Sequence, residues 1–459
     1  MARQLDRLEL AALAYLLLPL LVWLAGYLRL PLALPCALGC LWPAWHCLRA
    51  RQRVALAITQ GEWLGLAVIA LAWVSLSGLL APFHLNEDWV ARMAVLRDLT
   101  MLDWPVRYAD GLLLRCPLGY YLVPALIGKV SNMEGARGAL WLYTVAGTWL
   151  FLLLLVSANR ARARHAWVAI AGLAVFFSGM DVIGWLLWPG RTLGYAEHIE
   201  WWAGYFQYSS QTTILFWAPN HAIPGWLCAL IVWRHREHGL AAMPAMLLMA
   251  SVEAWAPLVA VGAAPLVLWC YCLGQGRKNL LVEAVQPAVL MVLPAALVMA
   301  RYLTIDLPAL PPAPSGMVLR IAAFSLFEWA ILWLALRRMG MRGTLMVLAA
   351  VELLLLPCLR FGPGNDLVMR GGIPAITIIL ACTISAWRMP VRARGARVVV
   401  VVVLLLGSVT PVLEMERAFL AGPRYRDDAR DFIAINGLAW NYLAHLHQAD
   451  LLRMLKRGK

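Results

Sequence analysis

Runs of about twenty apolar residues recur along the chain, and they constrain its fold more than any other feature. The first, "LELAALAYLLLPLLVWLAGYL" from Leu8 to Leu28, sets the pattern. Lipid offers the backbone no hydrogen-bond partners, so a spanning segment must satisfy its own N–H and C=O groups, and a helix does this. Crossings are expected near 8–27, 30–48, 62–81, 138–156, 166–187, 213–233, 240–253, 255–273, 280–300, 317–336, 342–359, 370–387 and 397–413. The fold class is therefore all-α: a polytopic integral membrane protein of about 13 transmembrane helices with external juxtamembrane helices. A composition of 62% hydrophobic and 14% charged residues lies far from a soluble domain. The 23 tryptophans suit two long interfacial belts.

The nine cysteines do not form a disulfide framework. Eight lie in apolar runs and read as inert buried thiols; only Cys116 falls in an expected exterior segment. The first apolar run lacks a small-residue cleavage site and is long enough to remain as a helix, so no cleavable signal peptide is expected.

A formal charge of +14 raises the question of a nucleic-acid partner, but its distribution argues against one. Arg3/Arg7, Arg49/Arg51/Arg53, "NRARAR" at 159–164, Arg234/Arg236, Arg277/Lys278, Arg337/Arg338/Arg342 and "RMPVRARGAR" at 388–397 all fall in alternate short loops. The positive-inside rule makes that side cytoplasmic. The N-terminus is then cytoplasmic and the C-terminus external, as in a multi-pass protein of a bacterial inner membrane. Residues 1–413 form the transmembrane domain, 82–137 its first large external loop with juxtamembrane helices, and 414–459 a short external helical tail. The apolar stretch at 113–130 holds Arg115, Pro117, Gly119 and Pro124, which suit a juxtamembrane or re-entrant element better than a lipid-facing crossing. Treating it so also preserves the alternation of basic loops.

This arrangement sends the unusual residues to one side. In "HLNEDWVARMAVLRD", from His84 to Asp98, Trp89, Met93 and Leu96 share a helical face, while Asp88, Arg92 and Asp98 lie away from it. An interfacial amphipathic helix capped by Asn86 is expected. Glu87 and Asp88 then sit in its first turn. They either complement the helix dipole or place a catalytic base, Asp88 first and Glu87 second, at the membrane surface.

In these residues the chain resembles the polytopic membrane glycosyltransferases of the GT-C architecture, which use polyprenyl-phosphate sugar donors. The "NED" at 86–88 is similar to that family's acidic motif in an early external loop, and 88–100 and 113–130 resemble its juxtamembrane helices. Here the loop follows the third expected span rather than the first. The resemblance implies transfer of a sugar from a polyprenyl-phosphate-linked donor to a saccharide, lipid or protein acceptor.

Candidate contacts for the donor phosphate lie elsewhere on the same expected side. "GNDLVMRGGIP" (364–374) offers Arg370, which either binds phosphate through its fork, snorkels to head groups, or pairs with Asp366. Gly371 and Gly372 leave the backbone open to close approach. "PNHAIPGW" (219–226) offers Asn220 and His221, as phosphate contacts or as satisfied helix-end groups. Arg92, His198 of "AEHIEWW" and Glu253 complete the set, whereas Glu328 and Glu352 read as mid-span packing pairs or protonated groups. The expectation is no cofactor and no metal site; a divalent metal is compatible with the chemistry but nothing in the sequence indicates one. Two other classes remain open: a transporter, flippase or polymerase-like component for lipid-linked saccharides, and a non-catalytic scaffold of a polysaccharide assembly system.

Overall fold

The computed structural model describes residues 3–52, 58–80, 82–108, 111–159, 165–187, 190–275, 286–306, 317–362, 364–389, 393–422, 432–433, 442–445 and 453–456. "NRARAR" beyond Asn159, Arg277/Lys278 and most of the tail lie outside these residues. The helices are α1 (Arg7–Tyr27), α2 (Leu30–Arg49), α3 (Gln60–Ser75), α4 (Asp88–Met101), α5 (Gly119–Val130), α6 (Met133–Ala158), α7 (Ala166–Phe176), α8 (Asp181–Leu186), α9 (Gln211–Trp217) and α10 (Pro219–Arg234). They continue as α11 (Ala242–Trp255), α12 (Pro257–Gln275), α13 (Pro287–Leu303), α14 (Met317–Ser325), α15 (Ile331–Arg338), α16 (Thr344–Leu355), α17 (Asp366–Ala386), α18 (Arg394–Gly407) and α19 (Val409–Leu420). Two three-residue strands, β1 (Leu112–Leu114) and β2 (Leu443–His445), pair antiparallel.

The chain is a multi-pass, essentially all-α membrane protein. Eight helical segments are long and apolar enough to cross a bilayer, including Ala166–Leu186, Met317–Arg338 and Arg394–Leu420, each of which is locally interrupted. Four more apolar helices are shorter: Gln60–Ser75, Ala242–Trp255, Val289–Leu303 and Thr344–Cys358. A 16-residue helix is about 24 Å long, less than the roughly 30 Å hydrocarbon core. Among the described residues, eight of the thirteen expected crossings coincide with helical segments that meet the length a span requires.

Basic helix ends gather on one face. Asp6 caps α1 in a capping box with Glu9. Arg234, at the end of α10, donates to Asp6, to Glu9 at 2.6 Å and to Ser157 near the end of α6. His235 Nε2 lies 3.3 Å from Glu9 Oε2. Ser385, near the end of α17, donates to Asn159 at 2.7 Å. On the opposite face the Lys456 N–H donates to Tyr27 O at 2.9 Å, and the Tyr302 hydroxyl to Leu114 O at 2.5 Å. There the His84 N–H also meets Ala418 O at 3.0 Å, and Arg417 Nε reaches Tyr195 O at 2.7 Å. The segments around 84–115 and 190–210, the end of α19 and the described tail residues therefore share this face, called here the loop face.

α5 does not cross. Its Tyr120 bonds Thr144 of α6, and a side chain at Gly128 would meet Ala136. The 12-residue helix thus runs antiparallel to the first turns of α6 and stays at one end of the bundle.

α4 corrects the amphipathic expectation. Trp89, Met93 and Leu96 are buried, but so are Arg92 and Asp98, which lie off that face. Asp98 accepts from the Tyr108 hydroxyl at 2.7 Å and from the Phe432 N–H at 2.9 Å, so its polar side is covered by protein rather than water. Glu87, not Asn86, occupies the cap position. Asn86 instead accepts from the Asp88 N–H at 3.2 Å and donates to Phe216 O at 2.9 Å. Cys116 is buried within its segment, and Cys358, at the end of an apolar helix, is exposed.

The glycine pair of α17 also has a different use. A Cβ on Gly262 of α12 would collide with Gly371 O, and one on Gly372 would strike the Tyr208 ring. The close approach belongs to helix packing, the role small residues play at membrane interfaces.

Candidate functional site

Asp88 opens α4 with its side chain 48% exposed at the loop face, 3.3 Å from Arg92. The i, i+4 spacing places both on one side of the helix. Arg92 itself is buried. Its Nη1 donates to Asn220 Oδ1 at 2.8 Å, and its guanidinium lies in reach of the Tyr121 hydroxyl. Asn220 Nδ2 sits 3.2 Å from His221 Nε2. Proline at the start of α10 presets the helical backbone there, so Asn220 and His221 project from its first turn towards α4.

Arg370 closes the group. It lies one turn into α17, which begins at Asp366 rather than at Arg370, and pairs with Asp366 at 2.9 Å. Its charge also acts on His221 and on Tyr442 of the tail, and Arg92 acts on the same two residues. Asp88, Arg92, Asn220, His221, Asp366 and Arg370 thus converge from three distant stretches of chain. Three of these residues carry a buried polar atom without a hydrogen-bond partner: Arg92 Nε, His221 Nδ1 and Arg370 Nε. Buried polar atoms are ordinarily paired, and unpaired donors on these residues suit an anionic ligand. Glu87 is exposed and stands outside this network.

Two expected members belong elsewhere. Glu253 lies on α11, and none of these contacts reaches it. His198 sits in a second, acidic cluster. Its Nδ1 lies 3.1 Å from Glu414, and its Nε2 lies 3.8 Å from Glu200. Glu200 accepts from Gln207 at 2.6 Å and from the Ser210 N–H at 2.8 Å. Glu414 also accepts from Trp217 at 2.9 Å and from Arg417 at 2.5 Å. Trp217 follows Phe216, whose carbonyl accepts from Asn86 and Trp89, so the two clusters adjoin. Trp202 is buried and donates to Glu328 at 2.9 Å, whereas Trp201 is exposed.

Burial, then the nearby Asp181 charge, pushes Glu200 up to about 7. For His198, burial opposes the charged ring, but the Glu414 hydrogen bond and the Glu200 and Glu414 charges outweigh it and raise the imidazole above its ordinary value. Both groups bind protons more tightly in the folded state. The Glu200 contribution is present below its ordinary value and is lost as pH rises to about 7. That of His198 is lost as pH rises through its raised value. Melting temperature in detergent should therefore fall from pH 5 towards pH 8, and Glu200→Gln should flatten the acidic part of that fall. A melting temperature that climbs with pH over this window would contradict both assignments.

Sequence reasoning missed Tyr121, Tyr442 and the partners of His198. The available signal was an acid inside an apolar run, Asp181, and another, Glu414, directly after the last one. No family model matches the chain, and neither a curated protein nor a solved structure does.

Proposed function

We propose that this protein is a membrane glycosyltransferase that moves a sugar from a polyprenyl-phosphate donor to an acceptor hydroxyl at the loop face. That face is taken as the external, periplasmic side of a bacterial inner membrane, with the N-terminus in the cytoplasm. The observation that supports the reading is the convergence of an accessible carboxylate, Asp88, with Arg92, Asn220, His221 and Arg370. Transfer needs a base beside a site for an anionic leaving group, and these side chains supply both chemistries.

In this mechanism Asp88 takes the proton from the acceptor hydroxyl as its oxygen attacks the anomeric carbon. The bond from that carbon to the phosphate oxygen breaks, and polyprenyl phosphate leaves with the electron pair. Arg370 and Arg92 face the phosphate, and His221 offers Nδ1 to it. Asp366 and Asn220 hold the two guanidiniums in place. The acceptor is a saccharide, lipid or protein.

The direct test is purified protein in lipid nanodiscs with polyprenyl-phosphate sugars, read as release of polyprenyl phosphate. Arg370→Ala should weaken donor binding by about 2 kcal/mol, roughly thirtyfold, as expected for a lost charge-assisted contact. Arg370→Lys should recover only part, because the fork geometry is gone. Equal donor affinity in the alanine variant would remove Arg370 from the site.

A second reading, transport of a lipid-linked saccharide, draws on one observation: the span Ala166–Leu186 is non-helical at 177–180, just before buried Asp181. Broken helices with buried polar groups recur in transporters. Movement of the donor between leaflets without sugar release would favour it.

A further inference from the structure

The acidic cluster is short of positive charge. Asp181, Glu200, Glu328 and Glu414 are all buried, and the cations among the described residues of this cluster are His198 and Arg417. Arg417 and His198 both bond Glu414. Asp181 Oδ2 accepts from Ser178 at 3.0 Å and from Thr410 at 2.8 Å, and Glu328 Oε1 accepts from Trp202. Glu328 Oε2 has no donor, is sealed from solvent, and is pressed against Gly179 beside the Asp181 carboxyl. The two carboxyls are within hydrogen-bond reach of each other. Ionised carboxylates only accept, so two of them cannot bond without something positive between them.

The backbone is shaped for this meeting. Asp181 starts α8 after the non-helical stretch 177–180, and Glu328 sits on a π-helical turn, Leu326–Ala330. The Met180 N–H donates to Phe327 O at 3.0 Å and ties the two irregular segments together. π-turns within helices occur often at functional sites. A cleft of about 370 Å³, lined by Arg191, Trp201, Trp202, Gly204 and Arg320 among others, lies beyond the Trp202 ring.

We propose that Asp181 and Glu328 share one exchangeable proton, forming a proton-binding site inside the membrane-spanning region and apart from the Asp88 site. The proton is held between an Asp181 carboxylate oxygen and Glu328 Oε2. It enters from and returns to water in the cleft, past Trp202. Glu200 and His198 face the pair from the 190–210 segment, and Thr410 of α19 donates to Asp181; Glu414 and Arg417 of α19 face His198 rather than the pair. The site does not depend on sugar transfer.

Infrared spectroscopy of the full chain in nanodiscs tests this. At neutral pH the wild type should show the carbonyl stretch of a buried protonated carboxylic acid, shifted down in D2O. Glu200→Gln should leave that band in place. Asp181→Asn and Glu328→Gln, each made in the Glu200→Gln background, should abolish the band that background retains, because the new amide donates to the remaining carboxylate. A band that survives both substitutions would place the proton elsewhere. A wild type without the band, whose carboxylate stretch shifts on adding sodium, would make the pair a metal-cation site and overturn the proposal; this arm needs no variant to fold.

Discussion

Arg234→Ala should lower the melting temperature of the detergent-solubilised protein more than any other substitution named here. The Arg234 side chain is 9% exposed and bonds Asp6, Glu9 and Ser157, so one guanidinium joins the start of α1 to the ends of α6 and α10. Removing it leaves fully buried Glu9 with His235 at 3.3 Å and Asp6 with Arg3 at 4.0 Å in place of a shared guanidinium. Breaking one partner of a buried ion pair costs about 3–5 kcal/mol, because the surviving charge stays desolvated. Arg234→Lys keeps the charge but cannot reach three partners at once, so it should fall between alanine and wild type. Adding Glu9→Gln to the alanine variant should restore part of the loss, since the stranded charge is then gone. An alanine variant that melts with the wild type would show that the network contributes nothing to stability.

That network illustrates what was legible in the sequence. Apolar length and the backbone's need for internal hydrogen bonds identified the helices, because those signals are local. Pairs at i, i+4 were legible for the same reason: Asp88 with Arg92, and Asp366 with Arg370, each lie on one helix side. Loop parity placed Asp88, Asn220, His221 and Arg370 on a common side, and their contacts follow from that. The register of helices 128 positions apart, which brings Asn220 against Arg92, has no signature in a single chain. Nor does the sequence say that α4 would be covered by Phe432 and the tail, so its polar residues read as solvated when they are buried. His198 failed as a member of the Asp88 site for a related reason. Its carboxylate partner, Glu414, lies 216 residues away, at the start of the segment expected to form a short external tail. Glu328 read as a mid-span group that packs or protonates; its meeting with Asp181 depends on two irregular turns that apolar periodicity does not reveal.

Asp88→Asn should reduce sugar transfer by about 10²- to 10⁴-fold, the usual contribution of a positioned base. The change keeps the shape of the side chain and removes its capacity to take a proton. The fold should tolerate it, because Asp88 is half exposed, and Arg92 keeps its bond to Asn220 and its neighbour Tyr121. Donor binding should stay near wild type, since the phosphate contacts assigned to Arg370, Arg92 and His221 are untouched. The loss should therefore fall on kcat rather than KM. Glu87→Gln should do far less, as Glu87 is exposed at the cap of α4 and bonds none of the site residues. The pattern separates catalysis from the alternative in which the two acids only complement the helix dipole. On that account the two amide variants would act alike, each costing a little stability and neither affecting rate. Wild-type transfer by a purified, folded Asp88→Asn variant would end the assignment of Asp88 as the base.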